Sequence, residues 1–444
     1  MGVWECGRLG VWAFGTPGRR LGGDAQHVRS RRTATAAEWP RTLTSASTHA
    51  TFMHMSMDFR TLVLLLIVAG LLVGGCTADA PEHGIMIEER DGVAYVSHTE
   101  VEVWNDLEEA PLQFELVQTF GAEETPDEAL LSRPSSLTTD DAGNVYLYDV
   151  GDDRLLSFDP DGRLRWSAGA SGQGPGEFQN VLGDPVWDGS DRLYLSNQFG
   201  ARLDAWSTDG AFDTSFSLED GGATRLQTLG IYDDTVVLAA LRYGAGDILV
   251  TRFDPVEEAV VDTFGLAVTL DPAPFFPGPA TDLTLDGHRL FASPLKSANH
   301  LFEFAMDGTA VREVHVEADE HLVGAGTYTG AEGMRQLILS DVWAPLRIGD
   351  GRYIRFSYWT LGVSNADDYV RQLVQGTIQR SDSQRAAALD VLNDEGHVLG
   401  RFQWDDMAAL DMGAPVASDA DGHLYTTVRL PYPQVRKYAV TVAP

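Results

Sequence analysis

The chain has 444 residues, with 32 Lys and Arg against 65 Asp and Glu, a formal net charge of −33. So acidic a balance excludes a protein that grips nucleic acid through a basic footprint, and 44% hydrophobic residues with 10 Trp, 13 Tyr and 19 Phe exclude intrinsic disorder as the state of the whole chain. Two cysteines, Cys6 and Cys76, exclude a disulfide scaffold and a thiolate-rich metal cluster.

Residues 1–56 are rich in Arg, Thr, Ala and Gly without apolar periodicity, and are expected to be disordered or to lie ahead of a true start at Met57, Met53 or Met55. From Met57 a short basic lead runs into an uncharged apolar stretch, Leu62 to Gly75, closed by Cys76. A membrane span needs about 20 apolar residues, so 57–76 has the build of a secretory signal instead. Leu72-Val73-Gly74-Gly75-Cys76 resembles a bacterial lipobox. The resemblance implies cleavage before Cys76 and attachment of membrane lipid to its sulfur. Thr77, rather than Asp, in the next position implies the outer membrane, facing the periplasm or the surface. Residues 77–110 are expected to be a polar tether with one hairpin candidate, Val93 to Trp104.

From residue 111 the chain repeats. Val145-Tyr146-Leu147-Tyr148-Asp149 and then Arg154-Leu155-Leu156-Ser157-Phe158 return as Leu193-Tyr194-Leu195-Ser196-Asn197 and then Arg202-Leu203-Asp204-Ala205-Trp206. Tyr146 and Tyr194, Asp149 and Asn197, Arg154 and Arg202, Phe158 and Trp206, and Gly162 and Gly210 each lie 48 residues apart. Weaker copies begin near Thr235, His288, Arg352 and Gly422. Every unit holds short alternating apolar runs, the mark of half-buried strands, separated by Asp-Gly or Glu-Gly pairs that tolerate positive φ. Six units of about 40–50 residues fit an all-β fold, a six-bladed β-propeller of four-stranded antiparallel blades. The blades are expected at 133–178, 179–222, 223–270, 280–318, 341–405 and 411–444 within one domain, 111–444. The last unit supplies only three strands, so the isolated strand 113–120 is expected to complete it. That closure joins the two chain ends and removes an open sheet edge.

Tyr146-Leu147-Tyr148-Asp149, a short loop and Arg154-Leu155-Leu156-Ser157-Phe158 look like the NHL repeat. Gly172-Gln173-Gly174-Pro175-Gly176-Glu177-Phe178 is similar to the link between blades in NHL-like six-bladed propellers of bacterial lipoproteins. The resemblance extends over 112–444 and implies the fold. It implies no single function, because such propellers host unrelated activities.

Catalytic motifs are scarce. Gly172-x-Gly174-x-Gly176 leads into no Gly-Lys-Ser/Thr and no helix, so it is a blade-connecting loop, and no Gly-x-Ser-x-Gly elbow occurs. NHL-type lyases hold zinc with channel histidines, but His288, His397 and His423 each follow an Asp-Gly or Glu-Gly turn and are expected at outer hairpins, facing solvent. No metal site is assigned to them. Six-bladed lactonase-like propellers carry a channel calcium, and a comparable site here would rest on Asp149, Asn197 and Asn299. No other cofactor is expected. Asp-rich turns such as Asp419-Ala420-Asp421-Gly422 lack the full ligand set of a calcium loop.

Connections between the second and third strands of the blades open on one face, and loops on a rigid scaffold are where binding resides. The candidate binding face comprises Asp149, Arg154, Asn197, Arg202, Arg242, Asn299, His300, Tyr358 and Trp359. The constant spacing of five between Asp149 and Arg154, and between Asn197 and Arg202, favours local bonds that hold each loop, because a ligand seldom needs the same pair in successive blades. The fifth connection is long and contains an amphipathic segment, Asp367 to Gln379, and Phe275-Phe276 lies in the Pro-rich link 271–279. These readings lead to a monomeric, non-enzymatic lipoprotein that binds a protein, peptide or glycan of the cell envelope and no nucleic acid. The alternative is a metal-dependent lactonase-like hydrolase or a lyase with its site at the channel mouth.

Overall fold

The computed structural model describes residues 84–444 except 105–109, 122–125, 199–200, 219–225, 242–247, 268–280, 295–298, 317–324, 331–332, 350, 380–383, 430 and 443–444. Residues 1–56, the signal 57–76 with Cys76, Arg242 and the link 271–279 lie outside the described residues.

Four strands come first: β1 (Ile85–Arg90), β2 (Val93–His98), β3 (Val103–Trp104) and β4 (Leu112–Phe120). Antiparallel meanders follow. The first is β5 (Pro134–Thr139), β6 (Val145–Asp149), β7 (Arg154–Phe158) and β8 (Leu164–Ala168). The second is β9 (Leu182–Trp187), β10 (Arg192–Asn197), β11 (Arg202–Ser207) and β12 (Phe212–Ser217). The third is β13 (Leu226–Tyr232), β14 (Thr235–Leu241), β15 (Ile248–Asp254) and β16 (Ala259–Leu266). The fourth is β17 (Thr281–Asp286), β18 (Arg289–Pro294), β19 (His300–Ala305) and β20 (Ala310–Val316). A hairpin, β21 (Ala325–Gly330) and β22 (Gly333–Ile338), precedes the fifth unit. There two short strands, β23 (Ser340–Val342) and β24 (Leu346–Ile348), both pair with β25 (Arg352–Thr360), and β26 (Arg385–Leu392) and β27 (Val398–Trp404) complete the sheet. Between β25 and β26 lies the helix α1 (Ala366–Val374), capped by the Asn365 side chain accepting from the Asp368 N–H. The last unit is β28 (Ala414–Ser418), β29 (Leu424–Val428) and β30 (Gln434–Val442).

The second strand of a unit is covered on both faces, so its apolar residues need not alternate with polar ones. All five residues of β6 are buried, whereas the outermost strand β8 alternates half-buried Leu164 and Trp166 with exposed Arg165 and Ser167. The cores pass from unit to unit around a circuit. Tyr148 and Leu155 pack with Leu195 and Trp206; Tyr194 and Leu203 with Val236 and Leu238; Val237 and Ile248 with Leu290 and Phe302. Phe291 and Leu301 then pack with Tyr353 and Leu392, and Phe356 and Leu389 share a core with Leu424, Val435, Val145 and Phe158. The last of these returns to the first unit. First strands also touch in turn: β28 with β5, β5 with β9, β9 with β13, β13 with β17, and β24 with β28. Between β9 and β13 the approach is closest, since a Cβ on Gly183 would lie 2.4 Å from the Thr228 carbonyl oxygen. The fold is a β-propeller.

The N-terminal strands wrap this ring. β4 pairs antiparallel with β30 from Val435–Phe120 to Val442–Leu112, so the last unit takes its outermost strand from the start of the described chain. β2 adds in parallel to β20, and β3 in parallel to β27. The stretch expected to be a free tether is therefore strand-bearing from Ile85 onward, and its hairpin is β1–β2 rather than Val93 to Trp104. The reason is local. Asp91 and Gly92 sit at φ 52° and 82°, the left-handed pair that a two-residue hairpin turn requires.

Candidate functional site

The residues expected on the binding face fall into two equivalent latches. Asp149 is fully buried at the end of β6, and its carboxylate accepts the backbone N–H groups of Ser132, Arg133 and Gly151 at 2.8, 2.6 and 3.2 Å. Arg154 donates to the carbonyls of Glu128 and Leu130. Together they hold the segment that enters β5. In the second unit, Asn197 accepts from the Gln179 and Gln198 N–H groups and donates to the Glu177 carbonyl and to Asp204. Arg202 pairs with buried Asp204 at 2.6 Å and reaches the carbonyls of Gln173, Gly174 and Glu177. The Gly172–Phe178 link is thus fastened by a guanidinium and an amide, and Phe178 is buried beneath it against Tyr148 and Trp206. These four polar residues are spent on the scaffold, as satisfied buried groups are in any core.

The other candidates separate. Asn299 bonds the His315 ring at 2.8 Å and His300 bonds Glu313 at 2.7 Å, each within its own sheet, so Asp149, Asn197 and Asn299 share no partner. Tyr358 and Trp359 are not loop residues. They are buried in β25, which runs on to Thr360 opposite Arg385, so an open aromatic face at this loop is corrected to a core position. The expected helix 367–379 is shorter, Ala366–Val374, with Val370 buried.

Sequence reasoning missed a charged network between the fourth and fifth units. Arg289 pairs with Glu303 at 2.7 Å and Asp394 at 2.8 Å and donates to the Tyr353 hydroxyl, while Arg312 pairs with the other Glu303 oxygen at 2.9 Å. Around it lies a small space of about 10 Å³, the size of one water. Nearby, Arg355 is fully buried and donates to the His300 carbonyl; burial lowers its guanidinium to about 10, against the pull of Asp390. A charged residue inside an otherwise apolar strand was the available signal.

Asp419, Asp421 and His423 bring one ligand atom each within 4.8 Å of one another. Lys437 already lies 3.0 Å from Asp419, which also accepts from the His423 N–H and the Tyr425 hydroxyl, so a cation of the protein's own stands at this turn. His423 folds back on Asp419 rather than facing solvent, whereas His288 is exposed.

An open cleft of about 510 Å³ lies at the rim between the third and fourth units, within the size range of ligand sites. Its walls include Tyr232, Arg252, Asp262 and Phe264 from the third unit and His288 and Asp307 from the turns of the fourth. Arg252 bonds Asp262 at 2.9 Å and lies 5.6 Å from the Tyr232 ring centre. That hydrogen bond holds the Asp262 carboxyl below its ordinary value, and the Thr309 N–H does the same for Asp307. Both acids are ionised at neutral pH. The cleft had no sequence motif because its walls come from strands and turns of two units.

No family model matches the chain. It is 31% identical over 108 residues to NHL repeat-containing protein 3 of Mus musculus, a match covering 22% of this chain and 30% of that relative. The chain thus spans about a third of the curated relative it matches. The fold is similar to a solved protein of Bacteroides fragilis NCTC 9343, at 10% identity and TM-score 0.51, over 79% of this chain and 100% of that one. A member of the DUF4221 family from Bacteroides vulgatus aligns at 11% identity and TM-score 0.48, over 75% and 99% of the two chains. The repeats are NHL-like and the architecture is that of a β-propeller. Among the described residues, no helix is long and apolar enough to cross a membrane.

Proposed function

We propose that this protein is a six-bladed propeller, tethered by lipid at Cys76 to the outer membrane of a bacterial envelope, that acts as a non-enzymatic binding or scaffold module for an envelope protein or peptide. The observation that carries the reading is the ring itself. Cores run from unit to unit and β4 closes onto β30, which makes a stiff support with an open cleft at its rim. Six blades are supported by the run of contacts between first strands, completed by Asp282 of β17 accepting from the Ala344 N–H just before β24. The lipobox-like Leu72–Cys76 supports the anchor. A channel calcium and the hydrolase or lyase chemistry built on it find less support, since Asp149, Asn197 and Asn299 each bond within their own unit.

Two measurements test the module. Palmitate labelling and membrane fractionation of the full chain are expected to be lost in Cys76→Ala; unchanged labelling refutes the anchor. A photo-crosslinking residue placed at Thr263 in the cleft is expected to capture an envelope partner that the same residue at Arg163, in the first unit, does not. Equal or no capture at both positions sinks the binding role.

A further inference from the structure

β16 is the outermost strand of its sheet, and among the described residues nothing pairs with its outer edge. The corresponding strands of the next two units are covered. β2 lies on β20 over five register pairs, Ala94–Arg312 to His98–Val316, and β3 lies on β27 at Arg401–Val103 and Phe402–Trp104. Both additions are parallel. This chain therefore shows twice that the outermost strand of a unit accepts a fifth strand along its free N–H and C=O groups, as exposed edges do. β16 carries neither Pro nor a basic residue to blunt its edge, and Val260 and Val261 are each 50% exposed.

Charge selects the occupant. Asp262 to Phe264 of β16 form one wall of the rim cleft. The antiparallel order puts the β13–β14 turn, with Asp233 and Asp234, and the β15–β16 turn, with Glu257 and Glu258, at one end of the sheet. Asp307 stands across the cleft. Against these acids are His288 and Arg252, and Arg252 is already held by Asp262. Tyr232 and Phe264 supply the apolar contact.

The geometry points to β16 and the adjoining cleft as the docking edge for an extended cationic peptide, which adds as a further strand. The register shift between Arg252 and Phe253 sets Val260 on the face opposite Asp262 and Phe264, so alternation lets the peptide's Lys or Arg residues share the Asp262 face while the β-branched residues between them lie on the Val260 face. This rests on the binding-module reading and names the partner class for its rim cleft.

The test uses the full chain and a fluorescein-labelled decapeptide of alternating Lys and Val at 0.15 M salt, followed by anisotropy. Saturable binding of one peptide per chain is expected. A peptide N-methylated on one alternate set of residues is expected to bind at least tenfold more weakly, and one methylated on the other set to bind as before, because only one set faces the edge. Thr263→Lys and Asp307→Lys, each with an unchanged thermal melt, are expected to weaken binding at least tenfold. Absent binding, equal loss from both methylated sets, no loss from either, or equal binding of a Glu–Val decapeptide overturns the proposal. Capture at Thr263 without peptide binding overturns this proposal and leaves the module standing, and the reverse result does the opposite.

Discussion

Phe178 stacks on Trp206 with ring centres 5.3 Å apart and planes 22° apart, which seats the link between the first two units on the core of the second. Both rings are buried. Phe178→Ala removes a core aromatic whose cavity cannot collapse between Tyr148 and Trp206, and is expected to cost about 3–5 kcal/mol in urea unfolding, with Phe178→Leu costing less.

The Arg202–Asp204 pair is the second point of attachment. Arg202→Leu leaves the Asp204 carboxylate buried without its cation and takes one donor from each of three carbonyls of the link. The expected loss is about 3–5 kcal/mol, accompanied by faster proteolytic cleavage between 172 and 177. The double variant Arg202→Leu/Asp204→Leu is expected to lose less than the sum of the singles, read from a double-mutant cycle in urea.

His98 ties the N-terminal wrap to acidity. Its ring is buried in β2, and Nε2 accepts the Val398 N–H, so the neutral ring carries its proton on Nδ1. Burial lowers its pKa, His397 and His315 lower it further, and the Gly396 backbone and Asp390 oppose them. A base with a depressed folded value stabilises the fold fully above the ordinary value of 6.5 and loses that contribution as pH falls through it. Protection factors in β1–β2, taken against the intrinsic exchange rate at each pH, are expected to fall between pH 7.5 and 5, and His98→Leu to flatten the dependence. Unchanged protection across that range would refute it.

Closure gives a length-dependent outcome. A chain beginning at Leu112 keeps β4 and is expected to remain folded and monomeric at a lower melting temperature, having lost β1 to β3. A chain beginning at Gly121 leaves the outer edge of β30 without β4 and is expected to aggregate, as light scattering would report.

The repeat was legible because Tyr146 and Tyr194, or Asp149 and Asn197, occupy positions that each blade must fill the same way: a ring under the neighbouring unit, and a polar side chain capping the incoming segment. The same regularity pointed away from a shared ligand: Asp149 with Arg154 and Asn197 with Arg202 recur at a constant spacing of five, and the bonds of each pair run to the link beside it. Tyr358 and Trp359 were misplaced because strand β25 runs longer than its repeat equivalents. The rim cleft was illegible, since Tyr232, Arg252, Phe264 and Asp307 meet only once two units have packed. The candidate Val93 to Trp104 spans β2 and β3, but their parallel pairing was missed because the partners lie far along the chain, and alternation within a strand says nothing of what it pairs with.

That wrap also orders events in time. The Val398 N–H bonds a ring 300 residues earlier, and Leu112 pairs with Val442. A nascent chain presents β1 to β4 first, yet the parallel partner of β2 waits for the fourth unit and the partners of β3 and β4 for the last two. These pairings span nearly the whole chain, so the steps that form them are expected to be the slow ones. Until then the β1–β2 hairpin stays undocked and β3 and β4 unpaired, the condition in which a chaperone or a misassembled neighbour finds them first.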